Sequence, residues 1–191
     1  MDTKLKGDIA EQAAIIRALK LGWGVLKTVG DRLPYDLVFD VHGTLVKIQV
    51  KASWFYEPAG NYLTDNRRTK TNRGLMVREL YSSSDFDFAL VRVEEFDLFY
   101  VFPVEVFISY AGQIQLVESD KRQRKPRSAK YREAWELISN WAAREETCVR
   151  SPVKVGRTSG GGNPEPSSDG KRRRRCRDLM AGIFPVAQTE R

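Results

Sequence analysis

Three side chains in one short stretch, Pro34 to Ser53, are of types that could do chemistry together: Asp36, Gln49 and Lys51. Asp36 follows a proline and opens an apolar, β-branched run, Leu37-Val38-Phe39. Gln49 and Lys51 lie two residues apart in a second such run, so on a strand they share one face. A hairpin gains no packing energy from a carboxylate, an amide and an ammonium near its middle. A metal-dependent phosphodiesterase uses all three types. A carboxylate holds the cation, and a lysine holds the attacking water or the charge developing on the phosphorane.

The elements that must position them follow from pattern. Pro34–Ser53 reads as two strands joined by a tight polar turn at His42-Gly43. In the second strand Leu45, Lys47, Gln49 and Lys51 take one face, and Val46, Ile48, Val50 and Ala52 the other. Asp36 and Asp40 alternate onto the same face with Val38, so both compete for a metal role. Asp40 sits beside the turn, where a solvated or turn-capping carboxylate is the usual case, and Asp36 is preferred. His42, the single histidine, is expected on the surface at the far end of the hairpin.

Upstream, residues 8–21 read as an amphipathic helix with Asp8 as N-cap. Glu11 completes a capping box, Ile9, Ala13, Ile16 and Leu19 lie at helical spacing, and Gly22 stops the helix. Glu11 therefore has two compatible roles, a backbone cap and a helix acid facing the hairpin. Residues 23–29 read as a strand. Downstream, residues 54–84 are less regular, with Asn61–Thr64 as a short edge strand. Arg67, Arg68, Lys70, Arg73 and Arg78 then follow with few acids between them. They suit either a solvated loop or a segment that tracks phosphates, with Asn66, Thr69, Thr71 and Asn72 reaching base edges; the interleaving of basic and polar types favours the second.

Residues 86–93 and 98–102 read as core strands around a Glu94-Glu95 turn, with Pro103 ending the second. Their aromatics are expected in the core. Residues 113–117 read as a further strand. Residues 121–132 carry Lys121, Arg122, Arg124, Lys125, Arg127, Lys130 and Arg132 around Pro126, a density that fits DNA-backbone contact better than a plain solvated face. A closing amphipathic helix over 131–143 turns Ala134, Trp135, Ile138, Trp141 and Ala142 inward. The order helix, three strands, further strands, helix predicts an α/β core with a mixed sheet flanked by helices.

Composition sets outer bounds. The 191 residues suffice for one compact domain, expected over 1–147, and a basic tail, 148–191, whose Gly, Ser and Pro content predicts disorder. No apolar run approaches the roughly 20 residues of a membrane-spanning helix, and the N-terminus lacks a signal-peptide core. Cys148 and Cys176 sit late, with no His beside them, which argues against a disulfide framework or zinc site and fits a reducing cytoplasm. The formal charge of +7 is uneven: residues 1–150 hold 23 Lys and Arg against 21 Asp and Glu, while 151–191 hold 9 against 4. The tail inflates the basicity, so charge alone says little about nucleic acid.

Asp36 on one strand and Gln49-Val50-Lys51 on the next resembles the PD-(D/E)xK nuclease superfamily, with Gln49 where most members carry an acid. Gln at that position is similar to the variant in group I intron-encoded homing endonucleases. The resemblance extends to Gly7–Gln12, Asp65–Thr69 and Asp120–Ser128 and covers roughly residues 1–145. It implies a restriction-endonuclease-like core and a site-specific double-stranded DNA endonuclease. It further implies that Glu11 and Asp36, with the Val50 carbonyl, hold one or two Mg²⁺ ions, for which Mn²⁺ could substitute. Gln49 is then a neutral ligand or hydrogen-bond partner, and Lys51 orients the nucleophile or stabilises the phosphorane. A long target read by a small domain implies a homo-oligomer, dimer or tetramer. Two rivals remain: a Holliday-junction resolvase, which shares the helix acid and the hairpin but usually keeps an acid before x-Lys, and an inactive DNA-binding module in which Gln49 marks decay.

Overall fold

The computed structural model describes residues 2–30, 32–72, 75–110, 112–118 and 126–150, with backbone only for 69–72, 75–77 and 148–150. Residues 1–142 form one compact unit. Its first element, α1 (Thr3–Lys20), begins earlier than expected. Asp2, not Asp8, is the N-cap, accepting from the Lys4 N–H at 3.2 Å. Thr3-Lys4-Leu5-Lys6 contains no breaker, so the helix runs back to the preceding capping residue. Glu11 is thereby two turns inside the helix and closes no capping box. The C-terminal end is as expected: Gly22 follows with φ +78°, a conformation glycine adopts freely. The buried face also differs. Ala10, Ala14 and Ala18 are buried while Ile16 and Leu19 are exposed, because alanines let the helix backbone lie close on the sheet.

The central sheet has five strands in the order β1-β2-β3-β8-β9. These are β1 (Gly24–Lys27), β2 (Leu37–Val41), β3 (Thr44–Ala52), β8 (Phe88–Val93) and β9 (Leu98–Pro103). β3 and β8 are parallel and the other pairs antiparallel, which gives the expected mixed sheet. Leu37, Phe39, Val41, Val46, Ile48, Val50, Phe88 and Leu90 face α1 and the start of α3 (Glu136–Arg150). The closing helix starts later than the expected 131, after Glu133 with φ +50°, so Ala134 and Trp135 are buried just ahead of it; within it Ile138 and Ala142 are buried and Trp141 packs partly against this core, as expected. On the opposite face Ala89, Val91, Val93, Tyr100 and Phe102 form a second core with Tyr62, Ile114, Leu116 and α2 (Val104–Ile108), a helix the sequence pattern did not suggest. Both faces of β8 and β9 are thus covered, and their aromatics are core, as expected.

Between β3 and β8 the chain is more regular than its composition suggested. β4 (Trp54–Tyr56) and β5 (Asn61–Asp65) join β10 (Gln113–Leu116) in a second sheet, ordered β10-β5-β4. β5 is therefore the middle strand, not an edge. Beyond it, β6 (Arg67–Asn72) and β7 (Leu75–Leu80) form a two-stranded ribbon that pairs only with itself among the described residues. The polar segment read as a loop is this ribbon; Asn72 and Gly74 flanking Arg73, followed by Leu75-Met76-Val77, were its turn-and-strand signal. Residues 143–150 continue α3 as the described part of a second unit, where Thr147 Oγ1 donates to the Ala143 carbonyl. The expected tail falls outside the described residues beyond 150.

Candidate active site

A two-residue turn sets the register on which the site depends. His42 and Gly43 have φ of +54° and +91°, the positive values that a turn matching strand twist requires. Asp40 accepts from the Gly43 N–H at 2.8 Å, the turn-capping role that set it apart from Asp36. Val41 then faces Thr44, and counting back along the ladder Leu37 faces Ile48. Asp36, one residue earlier, is brought alongside Gln49. Its Oδ2 accepts from Gln49 Nε2 and from the Val50 N–H, each at 2.7 Å. Gln49 is buried and also donates to its neighbour's carbonyl, Val50 O, at 3.1 Å. A register slip of one residue would carry Gln49 and Lys51 to the helix-facing core.

Lys51 lies on the same face, half-buried. Its Nζ donates to the Arg67 carbonyl at 3.1 Å and sits 5.2 Å from the centroid of the Tyr81 ring. Burial lowers its pKa from the ordinary lysine value, opposed by the Asp36 and Asp65 carboxylates and assisted by Arg68. Burial also pushes the Tyr81 hydroxyl up, with the Asp36 charge adding to it. Asp65, Arg67 and Tyr81 were not foreseen as neighbours of Lys51. No spacing could have revealed them, since they come from strand ends brought together by the fold.

Glu11 reaches the same end of the hairpin from α1. Its Oε2 pairs with Lys27 Nζ at 3.0 Å, and Lys27 faces Leu37, next to Asp36. Thr28 ties the strands further by donating through its N–H and Oγ1 to the Asp36 carbonyl. Among the described residues no three His, Cys, Asp or Glu side chains form a metal-binding group. A cation here would rely on two carboxylates and backbone oxygen. The geometry fits a hard divalent ion: Asp36 Oδ2 and Val50 O already converge on one polar atom, Gln49 Nε2. Turning that amide over would present its oxygen to the same point.

The basic residues divide. Arg67 grips Asp65 through Nε and Nη2 at 2.9 and 3.0 Å, and Arg68 Nη2 donates to the Arg32 and Leu33 carbonyls. Burial alone would raise the Asp65 carboxyl, but hydrogen bonds from Arg67 outweigh it and hold the group below its usual range. Asn66, expected to reach bases, is buried; its Nδ2 donates to the Phe107 and Tyr110 carbonyls. A side chain satisfying two buried carbonyls is structural. Arg127 donates to Ser109 Oγ and stacks over Tyr110 at 4.6 Å. Arg132 pairs with Glu118, and Arg78, exposed, lies 3.5 Å from Asp65. The side chains of Thr69, Lys70, Thr71 and Asn72, and residues Arg73, Lys121, Arg122, Arg124 and Lys125, lie outside the described residues.

Comparison with known proteins identifies the family. A family model described as PD-(D/E)XK endonuclease matches residues 1–138. Among solved structures, the bacterial homing endonuclease I-Ssp6803I is 66% identical, with a TM-score of 0.72 over 76% of this chain and 99% of its own. No curated protein sequence matches the chain. With the family match spanning the helix, the hairpin and both cores, the chain belongs to the PD-(D/E)XK endonucleases.

Proposed function

We propose that this endonuclease is sequence-specific, cuts double-stranded DNA in the manner of intron-homing enzymes, and hydrolyses the phosphodiester with Mg²⁺. The observation that carries this reading is the contact set of Asp36, Gln49 and Val50 on adjoining strands, with Lys51 next on the same face. Asp36 and Glu11, with the Val50 carbonyl, would hold the cation. When bound, the ion supplies charge stabilisation and lowers the pKa of the attacking water. Asp36 is fixed for this by the Val50 N–H, so its carboxylate needs little reorganisation when the cation binds. Gln49 contributes no charge, which keeps cation affinity low until DNA phosphates complete the site. The Lys51 ammonium has three donors, one of them engaged at Arg67. The other two serve the nucleophile and the phosphorane.

Arg67, Arg68 and Lys70 belong to the ribbon, an element of the kind that enters a major groove, and Arg73 follows them in sequence. The basic segment from Lys121 to Arg127 supplies backbone contacts. The protein acts as a homo-oligomer on half-sites, as a small domain needs for a long target. The test is cleavage of a random duplex library with Mg²⁺, Mn²⁺ or chelator, run beside four-way junctions. Recovery of one sequence class, dependent on the cation, is expected. Cutting of junctions alone, or of no substrate, would overturn the reading.

A further inference from the structure

The Lys51 ammonium is held by a part of the chain that the cleavage chemistry does not otherwise use. Its acceptor, the Arg67 carbonyl, belongs to the first residue of β6, and the Tyr81 ring it faces belongs to the first residue after β7. Both ends of the ribbon therefore meet at this one nitrogen. Asn66 ties the chain just before that root to the Phe107 and Tyr110 carbonyls, and one carboxylate holds Arg67 itself. Asp65, the last residue of β5, accepts from the Arg67 N–H, Nε and Nη2 at 2.9, 2.9 and 3.0 Å. From the opposite strand, Arg78 Nη1 lies 3.5 Å from its second oxygen.

The physical consequence concerns direction. A lysine has a flexible four-carbon stem, and an ammonium without a fixed acceptor samples many positions. The Arg67 carbonyl supplies that acceptor. The carbonyl in turn points where the residue 65–67 backbone is held, because the ribbon pairs with no other strand among the described residues. Arg67 is also a basic residue at the foot of the ribbon, so a phosphate or guanine edge arriving there competes with Asp65 for the guanidinium.

We propose that Asp65 is a positioning residue for cleavage: by gripping Arg67 it sets the carbonyl that aims Lys51, and it passes contact between ribbon and DNA to the chemistry. This rests on the reading in which Lys51 acts at the scissile phosphate. Asp65 touches neither substrate nor cation and works only through Arg67 and Lys51.

The experiment uses Asp65→Asn in the full chain, which keeps the shape and removes the charge and one acceptor. Three quantities are measured: single-turnover cutting of a library-selected duplex at saturating protein, the Kd for that duplex in chelator, and the ¹H–¹⁵N signal of the Lys51 ammonium. Cutting should fall about tenfold or more, since misplacement of about 1 Å can cost a hundredfold. The Kd should move by no more than about threefold, a loss in turnover and not in binding. The Lys51 ammonium should exchange faster, while that of Lys47, over Tyr35, stays unchanged. A slower rate with an unchanged Lys51 signal would overturn the proposal, as would an altered signal with unchanged cutting. Should Asp65→Asn not fold, Arg67→Gln breaks the same pair from its other side and leaves the carbonyl; saturated rate and Lys51 signal decide in the same way. Lys51→Ala run in parallel separates the two levels. Wild-type cutting by that variant removes the underlying reading, whereas an inactive Lys51→Ala beside an unaffected Asp65→Asn removes only the proposal about Asp65.

Discussion

The β2–β3 hairpin and the β6–β7 ribbon are both two strands and a short connection, yet the fold treats them in opposite ways. The hairpin is inside a five-stranded sheet, with Phe39, Val46 and Ile48 wholly buried against the helices. The ribbon pairs with itself, and Arg78, Glu79 and Leu80 are exposed. An isolated pair of strands is at best marginally stable, so the ribbon depends on its root: Asp65, Arg67, Arg78 and the Lys51–Tyr81 contact. On the proposed reading the difference is a division of labour: the residues for the cation sit where packing prevents movement, and those for DNA sit on an element with little packing of its own.

The largest effects should come from the hairpin. Phe39→Ala should remove about 3–5 kcal/mol of stability, read from urea unfolding, because a large ring leaves a cavity between sheet and helices. Leu80→Ala, on the ribbon at 68% exposure, should stay within about 0.5 kcal/mol. Equal losses at the two positions would break the comparison. In catalysis, Lys51→Ala should lower single-turnover cutting by about a hundredfold or more, with DNA binding retained.

Gln49→Glu sharpens the hairpin side. The amide now donates to Asp36; a carboxylate there would instead meet a like charge. The variant should melt lower than wild type in chelator and bind Mg²⁺ more tightly without DNA, both measurable by calorimetry. A variant with unchanged metal affinity would show that residue 49 does not face the ion. Hydrogen exchange addresses the ribbon, whose amides should exchange orders of magnitude faster than those of β2 and β3.

The smallest effect lies away from both regions. Burial and the Glu95 carboxylate push the Tyr62 hydroxyl from 10.0 up to about 12. The folded state binds this proton more tightly than the unfolded one. Its stabilisation is therefore complete below pH 10 and is lost as pH rises from 10 towards 12. Tyr62→Phe should flatten that decline in urea midpoints, and an unchanged decline would rule out Tyr62 as its source.

Much of the hairpin was legible because its signals are local. Alternation at β3, the His42-Gly43 turn and the proline before Asp36 act within a few residues, and together they set register. The helix start was misplaced because Asp2 and Asp8 are equally good caps, and the unbroken Thr3–Lys6 run lets the helix begin at the earlier one. Ile16 and Leu19 were expected inward because they are the larger apolar residues; close approach of helix to sheet selected alanines instead. Asn66 looked like a base reader because its type suits both roles, and burial decides which one it has.

By itself, then, the sequence determined the five strands of the central sheet, the shared face of Gln49 and Lys51, and the turn that brings Asp36 beside them. Each is a consequence of backbone sterics and period-two alternation. Only tertiary structure decided that Asp36 accepts from Gln49 and Val50, that Glu11 turns to Lys27, and that Lys51 ends at the foot of a ribbon between Arg67 and Tyr81. Those contacts join residues from separate elements. Their distances depend on how cores on both sides of the sheet pack, which no local pattern encodes.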